Sequence, residues 1–391
     1  MKLTYKFRLY PNKDQEKKLL HTLDRCRFVY NKLLEELNKQ EKIDRKILQH
    51  LIVELKEKYK ELKEVYSKVL QYEHYRLFSN LRALSRLKKN GKKVGKLRFK
   101  GKGWFKTFTY NQSGFKLIET NKRLDLLHLS KIGNIKIRIH RAVKGKIKQI
   151  AIKHCSSKKW YACITVEIKE KITKSSNSKK VGIDLGLIDF IYDSDGNKIK
   201  HPKILDKSLK KLTKEQRRLS RKKKKSRNRK KQRIKVARVY ERTVNQRNDF
   251  LHKLSRCYVK GYGFIALEKL NIKGMVKNRY LSKSIIDASW SKFIQLIQYK
   301  AENAGVDIIK IDPKNTTINC SNCGSKVYKK LYNRIHKCKC GLEIERDYNS
   351  AINILNIGQG LSKFTPVKIE PLRELTEVPV SSVVEAGSPL R

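Results

Sequence analysis

The sequence is short of acidic residues and has no long apolar run. Its 391 residues include 36 Asp and Glu against 94 Lys and Arg, so the formal net charge is +58. No apolar run approaches the roughly 20 residues that span a bilayer. The opening residues alternate as MKLTYKFRLY and show no signal-peptide pattern. These absences argue against a membrane-spanning or secreted protein, and we expect a protein of the cytoplasm.

The excess of positive charge indicates a polyanionic partner, because a globule with this charge repels itself. Residues 82–106 hold eleven Lys and Arg without an acid, and residues 210–238 hold seventeen with a single acid. Nucleic acid suits such tracts better than a membrane surface does. A solvated hairpin or a localisation signal would be the alternative for 210–238. We expect the tract to contact an RNA or RNA–DNA backbone, at Arg221, Lys222, Lys223, Lys224, Lys225 and Arg227.

The N-terminal half combines a helical part with a period-two part. Residues 3–10 alternate like a strand, and Asn12 with Gln15 forms a capping-box pattern before a helix. Further helical patterns cover 43–60 and 64–88, and alternation returns at Ile135–Ile139 and Trp160–Ile168. We therefore predict a β-barrel or antiparallel sheet from residues 1–10 and 94–170, with a helical bundle, 11–93, inserted into it.

The C-terminal half has a mixed α/β pattern. After a polar linker, 171–180, buried apolar strands are predicted in VGIDLGLIDFIYD, at 263–267 and at 306–311. A basic helical hairpin is predicted over 205–255 and an amphipathic helix over 287–304. Residues 359–391 have no clear period and are predicted to form a flexible tail. The fold class is thus multidomain α/β plus a β-barrel.

Three acids of this acid-poor half are candidates for a metal site. Asp184 lies at the centre of the predicted apolar strand VGIDLG, Glu268 ends the strand GFIALE, and Asp347 lies in the first turn of the helix in ERDYNSAINIL. Carboxylates from separate elements can hold two Mg²⁺ ions for phosphodiester hydrolysis. Taken alone, each acid is more simply interpreted as a solvated residue at the end of a strand or helix. Their order, strand, strand and helix, favours a nuclease.

Other acids nearby receive smaller roles in this interpretation. We expect turn or surface positions for Asp189, Asp193 and Asp195, and weaker helper positions for Glu345 and Asp287.

Eight cysteines are present, and half of them form two close pairs. One pair is Cys320 and Cys323, and the other is Cys338 and Cys340. Fourteen residues separate the two pairs, and each pair is followed directly by glycine. This spacing is typical of a structural zinc site with four thiolates, although the second pair is a tight C-x-C. His336 is a substitute ligand if Cys338 cannot reach, and four unligated thiols are the alternative. The remaining cysteines should be reduced and mostly buried: Cys26, Cys155, Cys163 and Cys257.

The ordered set of motifs resembles one known family, TnpB, which insertion sequences encode and which is related to type V CRISPR effectors. The resemblance covers nearly the whole chain. It rests on YKFRLYPNKDQEKKLL, CRFVYNKLL, KKVGKLRFK, GIDLGLIDF, RTVNQRNDFLHKLS, ALEKLNIKGM, DASWSKFIQLIQYKAENAG, CSNCG and ERDYNSAINIL. Two departures are the C-x-C pair and ERD in place of the more usual DRD.

The resemblance implies an RNA-guided DNA endonuclease. The barrel would be wedge-like and the helical bundle a recognition domain. A RuvC-like (RNase H-fold) nuclease domain, 181–315 and 341–358, would hold a zinc ribbon, 316–340. Asp184, Glu268 and Asp347 would be catalytic and bind two Mg²⁺, and the ribbon one Zn²⁺.

The resemblance also implies the partners of the chain. A guide RNA from the transposon end and double-stranded target DNA with a short adjacent motif would bind one copy of the chain, in a prokaryotic, nucleoid-associated ribonucleoprotein. Residues reading the motif would be Lys68, Gln71, Tyr72, Thr109, Tyr110 and Asn111.

Three other functions are compatible with parts of this pattern. A guided regulator that cannot cut should have lost one of the three acids, and none is lost. A transposase that joins strands would use the same metals. A plain RNA-binding or ribosome-associated protein leaves the spaced acids unexplained.

Overall fold

A computed structural model describes residues 2–40, 43–120, 122–168, 174–330 and 332–360. The chain divides into two compact units, Met1–Glu170 (unit 1) and Lys171–Arg391 (unit 2). In the part of the chain that is described, no helix is both long and apolar enough to cross a membrane.

Unit 1 begins with a strand and a helical segment and continues with further strands. Its elements are β1 (Lys2–Tyr10), α1 (Lys13–Leu37), α2 (Arg45–Lys58), a 3-10 helix (Lys60–Glu64), α3 (Ser67–Lys89), β2 (Thr107–Asn111), β3 (Phe115–Ile118), β4 (Asp125–Leu129), β5 (Gly133–Arg138), β6 (Lys146–His154) and β7 (Trp160–Glu167).

The strands of unit 1 form one antiparallel sheet in the order β2-β6-β7-β1-β5-β4-β3. The predicted insertion of β1 into this sheet is confirmed, since β1 pairs with β7 along its length and with β5 at its end. No hydrogen-bonded ladder joins β2 to β3 among the described residues, so the sheet is a half-barrel with two edges. The predicted barrel is thus not closed, because β3 pairs with β4 alone among the strands that the structure describes.

The helices of unit 1 pack on the sheet around one hydrophobic core. The predicted capping box of α1 is confirmed: Asn12 Oδ1 accepts from Gln15 N at 2.8 Å, and Gln15 Oε1 accepts from Asn12 N at 3.1 Å. The predicted helix over 64–88 begins later, at Ser67, because Val65 and Tyr66 are extended. The core is built by fully buried side chains that include Phe7, Leu9, Leu19, Tyr30 and Leu33.

Glu73 is a carboxylate inside this core. Its side chain is 0% exposed, and burial raises its pKa to about 8. Arg76, whose Nη1 lies 3.2 Å from Glu73 Oε2, offsets the burial only in part. Because the pKa in the folded state lies above the ordinary value of 4.5, the folded state binds the proton more tightly than the unfolded state does.

The free energy of unfolding should therefore fall as pH rises from the ordinary pKa of Glu73 to about 8, by up to about 1.4 kcal/mol per pH unit. We expect Glu73→Gln to remove this loss, so that its melting temperature exceeds that of the wild type by a margin that grows between about pH 5 and about pH 9. Glu57→Gln, at an exposed position of α2, is the matched control. A margin independent of pH would mean that Glu73 is ionised throughout this range in its pair with Arg76.

Unit 2 is an α/β unit. Its elements are β8 (Lys180–Asp184), β9 (Asp189–Asp193), β10 (Lys198–Lys200), α4 (Ile204–Ser220), α5 (Arg227–Gly261), β11 (Phe264–Glu268), α6 (Ile272–Met275), α7 (Ser282–Ala288), α8 (Trp290–Ala304), β12 (Asp307–Ile311), β13 (Ile335–Lys337), β14 (Glu343–Glu345) and α9 (Arg346–Gly358).

A five-stranded mixed sheet lies at the centre of unit 2, in the order β10-β9-β8-β11-β12. β8, β11 and β12 are parallel, whereas β9 and β10 are antiparallel additions at one edge. Helix α9 crosses β8 so closely that a Cβ on Gly182 would lie 2.2 Å from Ala351 O and 2.6 Å from Leu355 N. Only glycine permits this approach, which brings the last helix onto the strand that ends at Asp184.

Helices α4 and α5 form a basic hairpin joined by residues 221–226. Arg229 Nη1 donates to the carbonyl oxygens of Leu219 and Lys222, at 2.8 and 2.9 Å, and so closes the end of α4. Glu215, the single acid of the basic tract, accepts from Gln232 Nε2 at 2.6 Å across the hairpin. The cations of the tract therefore have few carboxylates to balance them.

The predicted helix over 287–304 is interrupted. Residue Ser289 has a φ of 55°, which ends α7 at Ala288, and α8 begins at Trp290. Asp287 therefore belongs to α7 and not to the amphipathic helix α8.

The predicted linker and tail are described only in part. Of the linker, residues 174–179 are held on unit 2 by bonds such as Ser175 N to Gly305 O at 2.9 Å and Asn177 Nδ2 to Gly261 O at 2.8 Å. Residues 171–173, and the predicted tail beyond residue 360, lie outside the described residues.

Candidate functional site

The three candidate acids come together at one edge of the unit 2 sheet. Asp184 ends β8 and Glu268 ends β11, one position beyond the ladder pair Ile183–Leu267. Because neighbouring parallel strands end at the same edge, their side chains share that edge. Asp347 lies in the first turn of α9, the helix that packs on β8.

The three acids lie close enough for their charges to interact. Burial raises the pKa of Asp184 well above its ordinary range, and the negative charges of Glu268 and Asp347 raise it further. Burial also raises the pKa of Glu268, against a hydrogen bond from Thr316. Such repulsion is what a bound divalent cation relieves.

The three carboxylates are less tightly grouped than the cysteines. Among the described residues, only the four cysteines bring three or more ligand atoms within 4.8 Å of one another.

Two arginines flank Asp347. Arg346 Nε lies 3.2 Å from Asp347 Oδ1, and Arg334 Nη1 lies 3.5 Å from Asp347 Oδ2. The Asp347 side chain remains 28% exposed. Neither arginine was predicted from the sequence, because a cation in so basic a chain gives no distinguishing signal. Guanidinium groups beside a metal site are suited to bind phosphate oxygens.

The other acids of unit 2 have structural partners. Asp193 is 1% exposed, which corrects the expected surface position; its Oδ2 accepts from Tyr258 OH at 2.8 Å and from Asn197 Nδ2 at 3.0 Å. It fastens the turn after β9, as the turn pattern predicted. Asp195 accepts from Tyr262 OH at 2.7 Å, and Glu345 pairs with Lys198. Asp189 begins β9 and is partly exposed.

Asp287, a predicted helper, is engaged elsewhere. It is 6% exposed, pairs with Arg247 of α5 at 2.7 Å, and accepts from the backbone N–H of Leu205 at 3.2 Å. It therefore fixes the start of α4 and the basic hairpin. Both of its oxygens accept hydrogen bonds from these partners.

The four paired cysteines form one cluster. Cys320 Sγ lies 3.7 Å from Cys340 Sγ, and Cys323 Sγ lies 3.5 Å from Cys338 Sγ. Tetrahedral zinc with Zn–S distances of about 2.3 Å places sulfurs about 3.8 Å apart. The cluster could therefore hold a zinc ion, and the tight C-x-C pair reaches it.

The remaining cysteines and His336 lie outside the cluster. His336 is 0% exposed, its Nδ1 contacts Lys329 Nζ, and burial lowers its pKa to about 4. It is not needed as a substitute ligand. Of the other cysteines only Cys26 is buried; Cys155 and Cys163 are partly exposed and Cys257 is exposed, so the expectation of mostly buried thiols was wrong.

The residues predicted to contact nucleic acid differ in exposure. Lys68 and Gln71 are exposed and Tyr72 partly exposed on one face of α3. Thr109 and Tyr110 are 4% and 1% exposed, and Tyr110 OH donates to Ser130 O at 2.8 Å, so these side chains offer no surface to a ligand. Asn111 is partly exposed. In the hairpin connection Lys222 is partly exposed, and the exposed residues are Arg221, Lys223, Lys224, Lys225 and Arg227.

Segments of the chain match known families of proteins. Residues 163–279 match the family described as "Probable transposase" (OrfB of IS605), residues 290–354 match the Cas12f1-like TNB domain, and residues 1–46 match a helix-turn-helix domain. A chain in the cryo-EM structure of the Cas12f1–sgRNA–target DNA complex is similar in fold, with a TM-score of 0.59 at 14% identity, over 91% of this chain and 99% of that one.

Two relatives share the name "Putative RNA-guided DNA endonuclease". The protein from Streptomyces pristinaespiralis is 31% identical and the match covers 98% of this chain and 96% of the relative. The second, InsQ from Escherichia coli (strain K12), is 30% identical over 91% of this chain and 92% of its own length. Since this likeness runs over essentially the full length of both chains, the protein belongs to the TnpB family of RNA-guided DNA endonucleases.

Proposed function

We propose that this protein is the nuclease of an insertion sequence, which carries a guide RNA and cuts matching double-stranded DNA beside a short adjacent motif. The observation that carries the proposal is the convergence of Asp184, Glu268 and Asp347 at one edge of the sheet, in a chain with a net charge of +58. An acid-poor, strongly basic protein gains nothing from clustering three carboxylates unless cations join them.

The proposed reaction is hydrolysis of a phosphodiester in a RuvC-like, RNase H-fold nuclease domain. Two Mg²⁺ ions, when bound, would supply activation of the attacking water and stabilisation of the leaving oxygen. Asp184, Glu268 and Asp347 would hold them from three different elements. Arg334, half exposed beside Asp347, can contact the phosphate that is cut.

The cysteine cluster supports a zinc ribbon over residues 316–340. All four tetrahedral positions are filled by thiolates, so the ion would be structural and would not react with substrate. Asp347 follows the ribbon after six residues, counted from Cys340. Zinc would thereby help to set the position of the third acid.

Guide RNA and target DNA would be held mainly through their backbones. The hairpin connection, with Arg221, Lys223 and Lys224 exposed, offers charge without base-reading geometry. In guided nucleases base pairing identifies the target, and the protein recognises duplex shape and the adjacent motif. On unit 1, the exposed face of α3 with Lys68, Gln71 and Tyr72 is the better candidate for reading that motif, because Thr109 and Tyr110 are buried.

The proposal is tested by purifying the protein with the RNA that it retains from its host. We expect sequencing to identify one RNA that ends in a variable guide segment. The complex with Mg²⁺ should then cut a guide-matched DNA library at members that share one flanking motif. Binding without cutting would indicate a regulator, joined strands a transposase, and RNA without a guide segment a plain RNA-binding protein.

A further inference from the structure

Glu268 has a defined partner that the reaction scheme above does not use. The Glu268 side chain is 7% exposed, and Thr316 Oγ1 donates to its Oε1 at 2.7 Å. Thr316 is 2% exposed, and its hydroxyl also lies 3.1 Å from Pro313 O. A hydroxyl has one proton to donate. The Glu268 carboxylate lies closer to this hydroxyl than Pro313 O does and is the stronger acceptor, so the proton goes to Glu268. One oxygen of Glu268 is thus fixed, and the other is left for a ligand.

Thr316 is itself held by the helix that carries Asp347. Asn353 of α9 is 1% exposed, and its Nδ2 donates to the carbonyl oxygens of Thr316 and Asn319, each at 2.8 Å. Both protons of the amide are therefore used. Asn353 lies on α9 six residues after Asp347. A continuous path of hydrogen bonds joins the second acid to the helix of the third.

Helix α9 also holds the backbone on both sides of Cys320, the first residue of the cysteine cluster. Asn349 is 0% exposed; its Oδ1 accepts from Ser321 N at 2.9 Å, and its Nδ2 donates to Asn319 O at 2.8 Å. Asn319 and Ser321 flank Cys320. A buried amide needs hydrogen-bond partners. The amide oxygen and nitrogen of Asn349 and the amide nitrogen of Asn353 find theirs in one short segment, residues 316–321. Among the described residues, Asn353 Oδ1 has no partner.

We propose that Thr316 is a positioning residue, which orients the Glu268 carboxylate for metal binding and is itself fixed to α9 by Asn353. The inference rests on the proposed function, because it assumes that Glu268 holds a catalytic ion. The hydroxyl selects one rotamer of the carboxylate before metal arrives, so that the ion meets a site already arranged. The path through Asn353 keeps the distance between Glu268 and Asp347 constant.

The test compares Thr316→Val with Thr316→Ser in the full ribonucleoprotein. Valine keeps the shape of the side chain and removes the hydroxyl, whereas serine keeps the hydroxyl. We expect Thr316→Val to raise the Mg²⁺ concentration for half-maximal cleavage by about tenfold and Thr316→Ser to stay near the wild type. A residue with a merely structural role would change the melting temperature or zinc content and leave the metal requirement unchanged.

Two further variants distinguish failure of the positioning role from failure of the proposed metal site. Glu268→Gln separates the inference from the function: if it cuts like the wild type, Glu268 is not a catalytic ligand and the proposed site fails. If Glu268→Gln is inactive while Thr316→Val keeps the wild-type metal requirement, the positioning role is overturned and the site stands. Should the valine methyl, placed against a buried carboxylate, prevent folding, Thr316→Ala leaves space for water. Equal metal requirements of Thr316→Ala and Thr316→Ser would also overturn the inference.

Discussion

Asp184→Asn should leave the protein bound to its guide RNA and to matching DNA and lower the rate of DNA cleavage by about a thousandfold or more. The amide keeps the size of the side chain and removes the charge at the centre of the three acids. Two divalent cations facing only two carboxylates are bound more weakly and in altered positions. The rate is measured in a single turnover with excess complex, and binding by retention of labelled DNA.

The fold of this variant should be preserved or strengthened. Burial and the charges of Glu268 and Asp347 raise the pKa of Asp184, so the metal-free protein loses stability as pH rises through the folded-state pKa. The neutral amide has no such loss, and its melting temperature at neutral pH should equal or exceed that of the wild type. Asp14→Asn, at an exposed acid in the first turn of α1, is the matched control. Cleavage by Asp184→Asn within about tenfold of the wild type would remove Asp184 from the proposed site.

Cys320→Ser should cost the protein its zinc and at least about a hundredfold in cleavage rate. Cys320 is the buried member of the cluster, and the segment around it is bonded to α9 through Asn349 and Asn353. Without the ion this segment loses its fixed geometry, and Asp347 is displaced before Asp184 or Glu268, which end strands of the sheet. Zinc is measured by elemental analysis, and cleavage under the conditions used for Asp184→Asn.

Cys257→Ser provides the control for the loss of a thiol, because Cys257 is exposed and distant in sequence from the cluster. It should retain one zinc per chain and full cleavage. The interpretation fails if Cys320→Ser loses zinc and cuts like the wild type, since Asp347 would then be positioned without the ribbon.

Much of the site could be predicted because local sequence patterns determine it. Glu268 was predicted at the end of an apolar strand, and parallel pairing brings strand ends together. Asp184 was predicted at the centre of an apolar strand, whereas the structure ends β8 at this residue. The spacing of the four paired cysteines likewise predicts that they lie together in one cluster. The three acids were individually ambiguous; only the packing of α9 on Gly182, a tertiary contact, places Asp347 beside the other two.

The failures have tertiary causes. The family resemblance places Tyr110 among the residues that read the adjacent motif, but its ring is buried and stacks 5.8 Å from Tyr66. Asp287 lies close to a predicted helix start, yet the left-handed Ser289 separates it from α8 and turns it toward Arg247. Thr316 and Arg334 carried no signal at all, because a threonine or an arginine becomes informative only when its partner across the fold is known.

The late position of α9 has a consequence for synthesis of the protein. Asp184 and Asp347 are separated by 163 residues, obtained by subtracting their numbers. While the ribosome is still translating the region between them, the emerging polypeptide has β8 but lacks the helix that Gly182 accommodates. On the proposed function, the third acid joins the other two only after Asp347 itself has been made. A product terminated between Asp184 and Asp347 should therefore be unable to cut DNA.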